Sequence, residues 1–139
     1  MHDHDTYDYA IIRVVPKVER EEFINVGVIV SCPAQKFLEA RIELNEQRLM
    51  ALDATLDMES IKANLATIPA ICAGGKAAGK IGQLTQRERF YWLVAVRSSI
   101  IQTSPVHTGL CKHPAVVLEH LLDTMVRSSG DCNSSQSSF

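Results

Sequence analysis

The sequence predicts an α+β fold in which a small antiparallel sheet of three to four strands carries helices packed mainly on one face. Two observations lead to this prediction. The first third of the chain holds three strand-like apolar segments joined by short links. The remainder shows helical spacing of apolar residues behind capping signals. Because short links favour antiparallel neighbours, the three strands should form a meander.

The three strands are predicted at residues 7–16, 24–32 and 37–44. The first is a β-branched run that ends at a proline, and the third alternates apolar and charged residues. The second is apolar on both faces, so it should lie inside the sheet. Within it, Gly27 predicts a bulge or a close approach by another group. Residues 99–103 are a candidate fourth strand.

Helices are predicted behind four local signals. Asn45 should cap a short helix and Asp57 a longer one, which Pro69 should kink or end. Thr85 opens a capping box, and Pro114 suits the first residue of a last helix. The buried stripe predicted for that last helix is Val117, Leu118, Leu121, Leu122, Met125 and Val126.

The length of 139 residues suits one domain, predicted at residues 1–130, followed by a disordered polar tail at residues 131–139. The formal net charge of −2 argues against a mainly electrostatic nucleic-acid binder, because phosphate contacts need a basic face. No apolar run approaches the ~18 residues that a membrane span requires. Neither nucleic acid nor membrane is therefore an expected partner.

The cysteines indicate an intracellular protein. Cys32, Cys72, Cys111 and Cys132 form no CxxC pair, and their wide spacing is typical of scattered thiols, not of a disulfide framework. The N-terminal segment MHDHDTYDYA is acidic and polar, unlike a signal peptide. We therefore expect the protein to be cytoplasmic.

Residues 74–80, GGKAAGK, match the first seven positions of a phosphate-binding P-loop. The eighth position should be Ser or Thr to hold magnesium, but here it is Ile81. A P-loop also has to join a strand to a helix, whereas a helix is predicted before this segment. We expect a plain flexible loop and no nucleotide cofactor.

His107, Cys111 and His113 have the spacing H-x3-C-x-H. Zinc accepts all three types, but a structural zinc site needs four ligands, and the fourth would have to come from a distant residue such as Cys32. His113 also has a local explanation, because it directly precedes Pro114 as the capping residue of the last helix. We therefore expect no metal.

The segment SPVHTGLCKHP, residues 104–114, is predicted to be a turn that leads into the last helix. Pro105 and Pro114 restrict the backbone, and Gly109 permits a left-handed or tight turn. In this arrangement His107 would face inward and His113 would face solvent.

A set of polar residues stands out against its apolar surroundings. Arg13 lies inside an apolar strand, and Arg97 lies on the apolar stripe of a helix. Arginine is seldom buried without a partner, and its guanidinium is a natural fork for anions. The structural alternative is that Arg97 pairs with a glutamate such as Glu22. The candidate polar pocket consists of Arg13, Arg97, Gln102, Ser104 and His107.

Two long blocks, residues 7–33 and 89–114, resemble the N- and C-terminal signatures of DUF3037, a bacterial domain family of unknown function. His113 departs from the family pattern, which more often has aspartate there, and this weakens a metal site built on it. The resemblance implies no established activity. It does imply a partner role, because members are often encoded beside HipA-like kinases. The positions that match the pattern include Arg13, Asn25, Gly27, Arg97, Ser98, Gln102, Ser104, His107 and Gly109.

Two functions are consistent with these observations. The first is an accessory interaction module that binds itself or a protein partner, such as a HipA-like kinase, through an exposed sheet edge or the helix carrying Tyr91 and Trp92. The second is a small enzyme or ligand binder that uses the polar pocket on an anionic substrate, with no catalytic residue identified. Convergent polar groups in a closed pocket would favour the second, and an exposed apolar surface would favour the first.

Overall fold

A computed structural model describes residues 4–95 and 99–127 and shows an antiparallel sheet of five strands. Their order is β3-β2-β1-β4, and β5 pairs with β1 beyond the end of β4. The α+β fold, the meander and the interior position of β2 are thereby confirmed. The strands are β1 (Asp5–Val14), β2 (Ile24–Cys32), β3 (Phe37–Ile42), β4 (Ile101–Thr103) and β5 (His107–Cys111).

The helices follow β3 and β5. None of those in the described ranges has the length and apolar character that a membrane crossing would require. The predicted tail at residues 131–139 lies outside the described residues. The helices are α1 (Glu46–Leu52), α2 (Met58–Ala73), α3 (Gly79–Gly82), α4 (Gln86–Val94) and α5 (Pro114–Leu121), and a π-helical turn (Leu122–Val126) continues α5.

Helices cover both faces of the sheet, mainly the one that packs against α1, α2 and α4, as predicted. On that face Ile12, Val26 and Ile29 of the sheet pack in the same core as Ile61 and Phe90 of the helices. The last helix and its π-helical turn cover the opposite face. That smaller core contains Ile11, Val28, Val30, Leu118, Leu121, Leu122 and Val126.

The local capping signals are confirmed. The side chains of Asn45 and Asp57 each accept a hydrogen bond from the backbone N–H three residues later. Thr85 and Glu88 form the complete capping box at the start of α4. Each of these bonds satisfies a backbone donor that a helix N-terminus otherwise leaves unpaired.

The helix α2 extends beyond its predicted limit. Pro69 lies inside it, and the helix ends only at Ala73. Proline removes one backbone hydrogen bond from the preceding turn. Burial of Ile71 and Cys72 in the main core offsets that loss, so the helix continues for another turn.

The end of α5 corrects one member of the predicted stripe. Leu118, Leu121, Leu122 and Val126 are buried, but Met125 is 43% exposed. The π-helical turn has more residues per turn than an α-helix, so it rotates the positions after Leu121 away from the α-helical phase. A period of 3.6 residues therefore places Met125 on the wrong face.

The segment 104–114 is not the predicted turn. Residues 107–111 form strand β5, which pairs with β1 from Asp5↔Cys111 to Tyr9↔His107. Gly109 does not adopt a left-handed conformation. Instead it gives room to the Tyr7 ring, because a Cβ at this position would lie 2.8 Å from the Tyr7 hydroxyl oxygen. A cross-strand contact, not a turn, accounts for this glycine.

An ion-pair network links Arg127, directly after the π-helical turn, to the end of β3. The Arg127 guanidinium contacts Glu43 at 2.6 Å, and Glu119 and Asp123 at 2.5 Å each. Arg41 contacts Glu119 at 3.0 Å. Hydrogen bonds from Arg127 lower the pKa of both Glu43 and Glu119 below the ordinary value of 4.5. Ionised carboxylates in this network therefore stabilise the folded chain.

We expect Arg127→Gln to change how stability depends on pH. A carboxyl group whose pKa is lower in the folded chain than in the unfolded chain stabilises the fold. This stabilisation is complete above the unfolded-state pKa of 4.5 and is lost as the pH falls through the folded-state pKa. The free energy of unfolding should therefore differ most between wild type and variant above about pH 5 and converge below 4.5. Urea denaturation at a series of pH values measures this difference.

Arg48→Gln is the matched control, because it removes the same charge from a residue outside any ion pair of the described chain. Its difference from wild type should stay flat across the same pH range. A flat difference for Arg127→Gln as well would contradict the stabilising role of the network.

Candidate functional site

The strands β4 and β5 form one interrupted edge strand along β1. Ser104, between them, is only 5% exposed, and its hydroxyl accepts a hydrogen bond from Ile11 N at 2.9 Å. The same hydroxyl donates to the Pro105 carbonyl at 2.9 Å. These bonds replace ladder bonds where the register shifts from Ile12↔Thr103 to Tyr9↔His107. The Ser104 hydroxyl thus closes the gap in the edge strand.

Arg13 lies in a row of polar side chains across three strands. It is paired with Asn25 of β2 on one side and with Gln102 of β4 on the other. Directly paired residues project from the same face of a sheet, here the face covered by α5. The guanidinium carbon of Arg13 stacks 4.0 Å from the centre of the Phe23 ring.

Both amides in this row are held by backbone carbonyls. Asn25 Nδ2 donates to the Met125 carbonyl at 2.9 Å, and Gln102 Nε2 donates to the Ser99 carbonyl at 2.7 Å. Asn25 Oδ1 and Arg13 Nε are buried, and neither has a hydrogen-bond partner in the described part of the chain. The row therefore combines fixed amides with an unsatisfied donor and an unsatisfied acceptor.

The predicted pocket residues are spread along the β1 ladder. Arg13 and Gln102 are adjacent, whereas His107 is paired with Tyr9 and its ring lies 5.2 Å from the Tyr9 ring. The two pairs lie four positions apart on β1, which corresponds to about 13 Å along the strand. Arg97 lies outside the described residues. The described geometry thus joins Arg13 and Gln102 and puts His107 farther along the ladder.

The β5 edge is the exposed edge of the sheet and carries no charge. Residues 101–111 contain no Asp, Glu, Lys or Arg. Leu110 is 69% exposed and Val106 is 42% exposed. The opposite edge, β3, carries Glu39 and Arg41, and α2 packs beside it. Charged side chains and covering helices protect edge strands from further pairing, so β3 is protected and β5 is not.

In the part of the chain that the structure describes, the cysteines and histidines are not arranged for nucleophilic or metal chemistry. His107 and Cys111 lie four residues apart on an extended strand, about 13 Å, which is too far to share one zinc ion or to form a dyad. Burial raises the pKa of the Cys111 thiol and raises that of Cys72 to about 12. Both thiols are therefore protonated and poor nucleophiles at neutral pH.

The glycine-rich loop at residues 74–82 lies between α2 and α4 and contains the short helix α3. A phosphate-binding P-loop needs a strand before it, so the setting differs from that motif. The Arg89 guanidinium donates to the Ile71 and Cys72 carbonyls at 3.0 and 2.5 Å. It lies against Gly74, where a Cβ would be 3.0 Å from Arg89 Nη1, so the start of the loop contacts an arginine of α4.

Sequence reasoning did not find two parts of this region. Phe23, which stacks on Arg13, is not among the predicted site residues. The β5 edge was assigned to a turn, although Val106, Thr108 and Leu110 alternate with smaller or polar residues as strand residues do. Both features depend on β1 lying alongside.

Comparison with known proteins gives one result. The model of the family described as "Protein of unknown function (DUF3037)" matches residues 9–126. Neither the curated proteins nor the solved structures contained a match. The matched region runs from β1 to the end of the π-helical turn and includes the Arg13 row and the whole β5 edge. The chain therefore belongs to the DUF3037 family.

Proposed function

We propose that this domain is a protein-interaction module that docks a β-strand of another chain along the β5 edge. One observation carries the proposal. Residues 101–111 form an exposed edge without any charged side chain, and Leu110 is 69% exposed on it. An edge strand presents unpaired backbone N–H and C=O groups at alternate residues, and an added strand satisfies them.

The side-chain pattern of this edge favours a second copy of the chain as the occupant. Val106, Thr108 and Leu110 alternate along the strand and share one face. An antiparallel pair centred on Thr108 faces Leu110 of each copy with Val106 of the other, so both apolar side chains become buried. The strand itself brings no Asp, Glu, Lys or Arg to the two-fold axis, and the nearest carboxylate, Asp8 of the neighbouring strand, accepts a hydrogen bond from the Thr108 hydroxyl at 2.6 Å.

A HipA-like kinase, which the family resemblance implies, is the proposed competitor for the same edge. The setting we propose is the bacterial cytoplasm. The three cysteines in the described chain, Cys32, Cys72 and Cys111, are free thiols, which supports a reducing compartment. A partner strand with apolar residues at alternate positions would fit beside Leu110 as the second copy does.

One side chain supports an interaction module over an enzyme built on the predicted pocket. The Ser104 hydroxyl is engaged with Ile11 and Pro105. A group that holds its own sheet together is less available to orient a substrate. The exposed apolar side chains at the edge need a partner to be covered.

Cross-linking tests the proposed pairing directly. In a Cys132→Ser background, Thr108→Cys should form a disulfide-linked dimer under mild oxidation, because the pairing puts residue 108 on the two-fold axis. Thr55→Cys, which lies in the exposed turn after α1, should form no disulfide-linked dimer under the same conditions.

Sedimentation velocity measures the same association without a covalent trap. Leu110→Lys should shift the chain towards monomer, since it puts a charge into the pairing strand, and Met50→Lys should not. Met50 is 48% exposed on α1 and serves as the matched control. A wild-type chain that stays monomeric at its highest soluble concentration, together with no cross-link at residue 108, would refute self-pairing through β5.

A further inference from the structure

We infer that Arg13 is the centre of an oxyanion-binding site on the face of the sheet that α5 covers only in part. This inference does not depend on the β5 edge. Arg13 forms no ion pair with a carboxylate in the described chain, although it is only partly exposed. A guanidinium partly withdrawn from water without a counter-charge is unfavourable, and an oxyanion supplies that charge.

The Arg13 side chain is held ready for an anion. Its guanidinium carbon lies over the Phe23 ring, 4.0 Å from the ring centre, so the ring shields that side from water. Nε is buried without a partner, whereas the two Nη groups make no hydrogen bond within the described chain and reach solvent. The Nη pair is therefore the fork on which an oxyanion would bind with two hydrogen bonds.

The neighbouring amides set the chemical class of the ligand. Gln102, paired with Arg13, has its Nε2 group committed to the Ser99 carbonyl, so its amide oxygen is the group left to accept a hydrogen bond. Asn25 on the other side is fixed in the same way by the Met125 carbonyl. A carboxylate or phosphate group accepts from Arg13, and a hydroxyl or N–H beside it donates to Gln102. The shared chemistry is an oxyanion with an adjacent donor.

NMR spectroscopy tests this inference directly on the Arg13 side chain. The Arg13 Nε–Hε resonance is followed in two-dimensional ¹H–¹⁵N spectra at mildly acidic pH, and ionic strength is held constant with chloride. Inorganic phosphate is titrated in one series and acetate in a second. We expect a saturable shift at Arg13 in at least one series and none at Arg48, an exposed arginine of α1 without an ion pair in the described chain.

The two series separate the sources of the oxyanion. Saturation with phosphate alone assigns a tetrahedral phosphoryl group, saturation with acetate alone assigns a carboxylate, and saturation with both assigns the shared fork. Linear shifts of equal size at Arg13 and Arg48 in both series would show an adventitious ion only and would overturn the inference. This wild-type titration needs no variant, so a folding defect cannot obscure it.

Variants then test the fork geometry. Arg13→Lys keeps the charge but not the paired donors, and should weaken saturable binding by about tenfold. Gln102→Ala, on the short edge strand β4, should weaken it less and leave the fold intact. Unchanged affinity in both variants would overturn the site. Loss of binding here with an intact cross-link at residue 108, or the reverse, tells this inference apart from the proposed function.

Discussion

Gly27→Ala should strongly destabilise this protein. A Cβ at Gly27 would lie 2.6 Å from the Arg41 carbonyl oxygen and 2.8 Å from Ile42 Cδ1. Arg41 and Ile42 belong to β3, the neighbour of β2, so relief requires the two strands to separate. We expect a loss of about 3–5 kcal/mol in the free energy of unfolding, measured by urea denaturation.

Gly109→Ala is the matched control on another strand. Its Cβ would meet the Tyr7 ring at 2.8–2.9 Å, but no backbone atom is among the nearest three. Tyr7 is partly exposed, so its ring has space to rotate away, and the loss should be about 1 kcal/mol. Equal losses in the two variants would show that backbone contact is not what makes Gly27 sensitive.

Arg89→Ala should produce the second largest loss. Arg89 Nη1 donates to the Ile71 and Cys72 carbonyls at the end of α2, and Nε donates to the Leu84 carbonyl at 3.1 Å. Removing the side chain leaves the last carbonyls of α2 without their donor and removes the contact with Gly74. We expect the free energy of unfolding to fall by about 3 kcal/mol, because charge-assisted bonds to part-buried carbonyls are strong.

Two further variants make this prediction specific. Arg89→Lys should recover only part of the loss, since an ammonium cannot reach carbonyls on both sides as a guanidinium does. Arg87→Ala, on the exposed side of the same helix, should change stability by less than about 0.5 kcal/mol. If Arg89→Ala were as stable as Arg87→Ala, α2 would not depend on this contact.

Local sequence signals predicted most of the secondary structure. The bounds of β2 agree with the prediction at both ends, and three helices begin at the predicted caps. The caps were predictable because capping depends on a side chain and a backbone N–H only three residues away. The strand β2 was predictable because a strand buried on both faces has a continuous apolar run. The glycine of β2 was also informative, because the ladder skips Val26 there and forms a bulge.

The segment 104–114 shows where local signals mislead. Two prolines, two histidines and a glycine are typical of a turn, yet residues 107–111 form a strand. Pairing with β1 supplies hydrogen bonds that no local turn could, and the Tyr7 ring occupies the space that Gly109 leaves. Partners about one hundred positions away in sequence decided the conformation, as they often do for edge strands.

The sequence also predicted only part of the candidate site. An arginine inside an apolar strand indicated a polar site, because that residue type is seldom buried alone. The sequence could not show that Asn25 and Gln102 would flank Arg13, or that Phe23 would stack on it. Nor could it show that His107 would lie beside Tyr9, about 13 Å farther along the strand.

The residue pattern alone was sufficient for the fold class, the meander, the central strand and the helix caps, since each depends on interactions within a few residues or on simple burial. Tertiary structure decided the fifth strand, the uncharged β5 edge and the neighbours of Arg13. These depend on strand register, and a shift of one residue in register moves every side chain to the other face. Only the folded chain sets that register, through Ser104 at the break and Gly27 at the bulge.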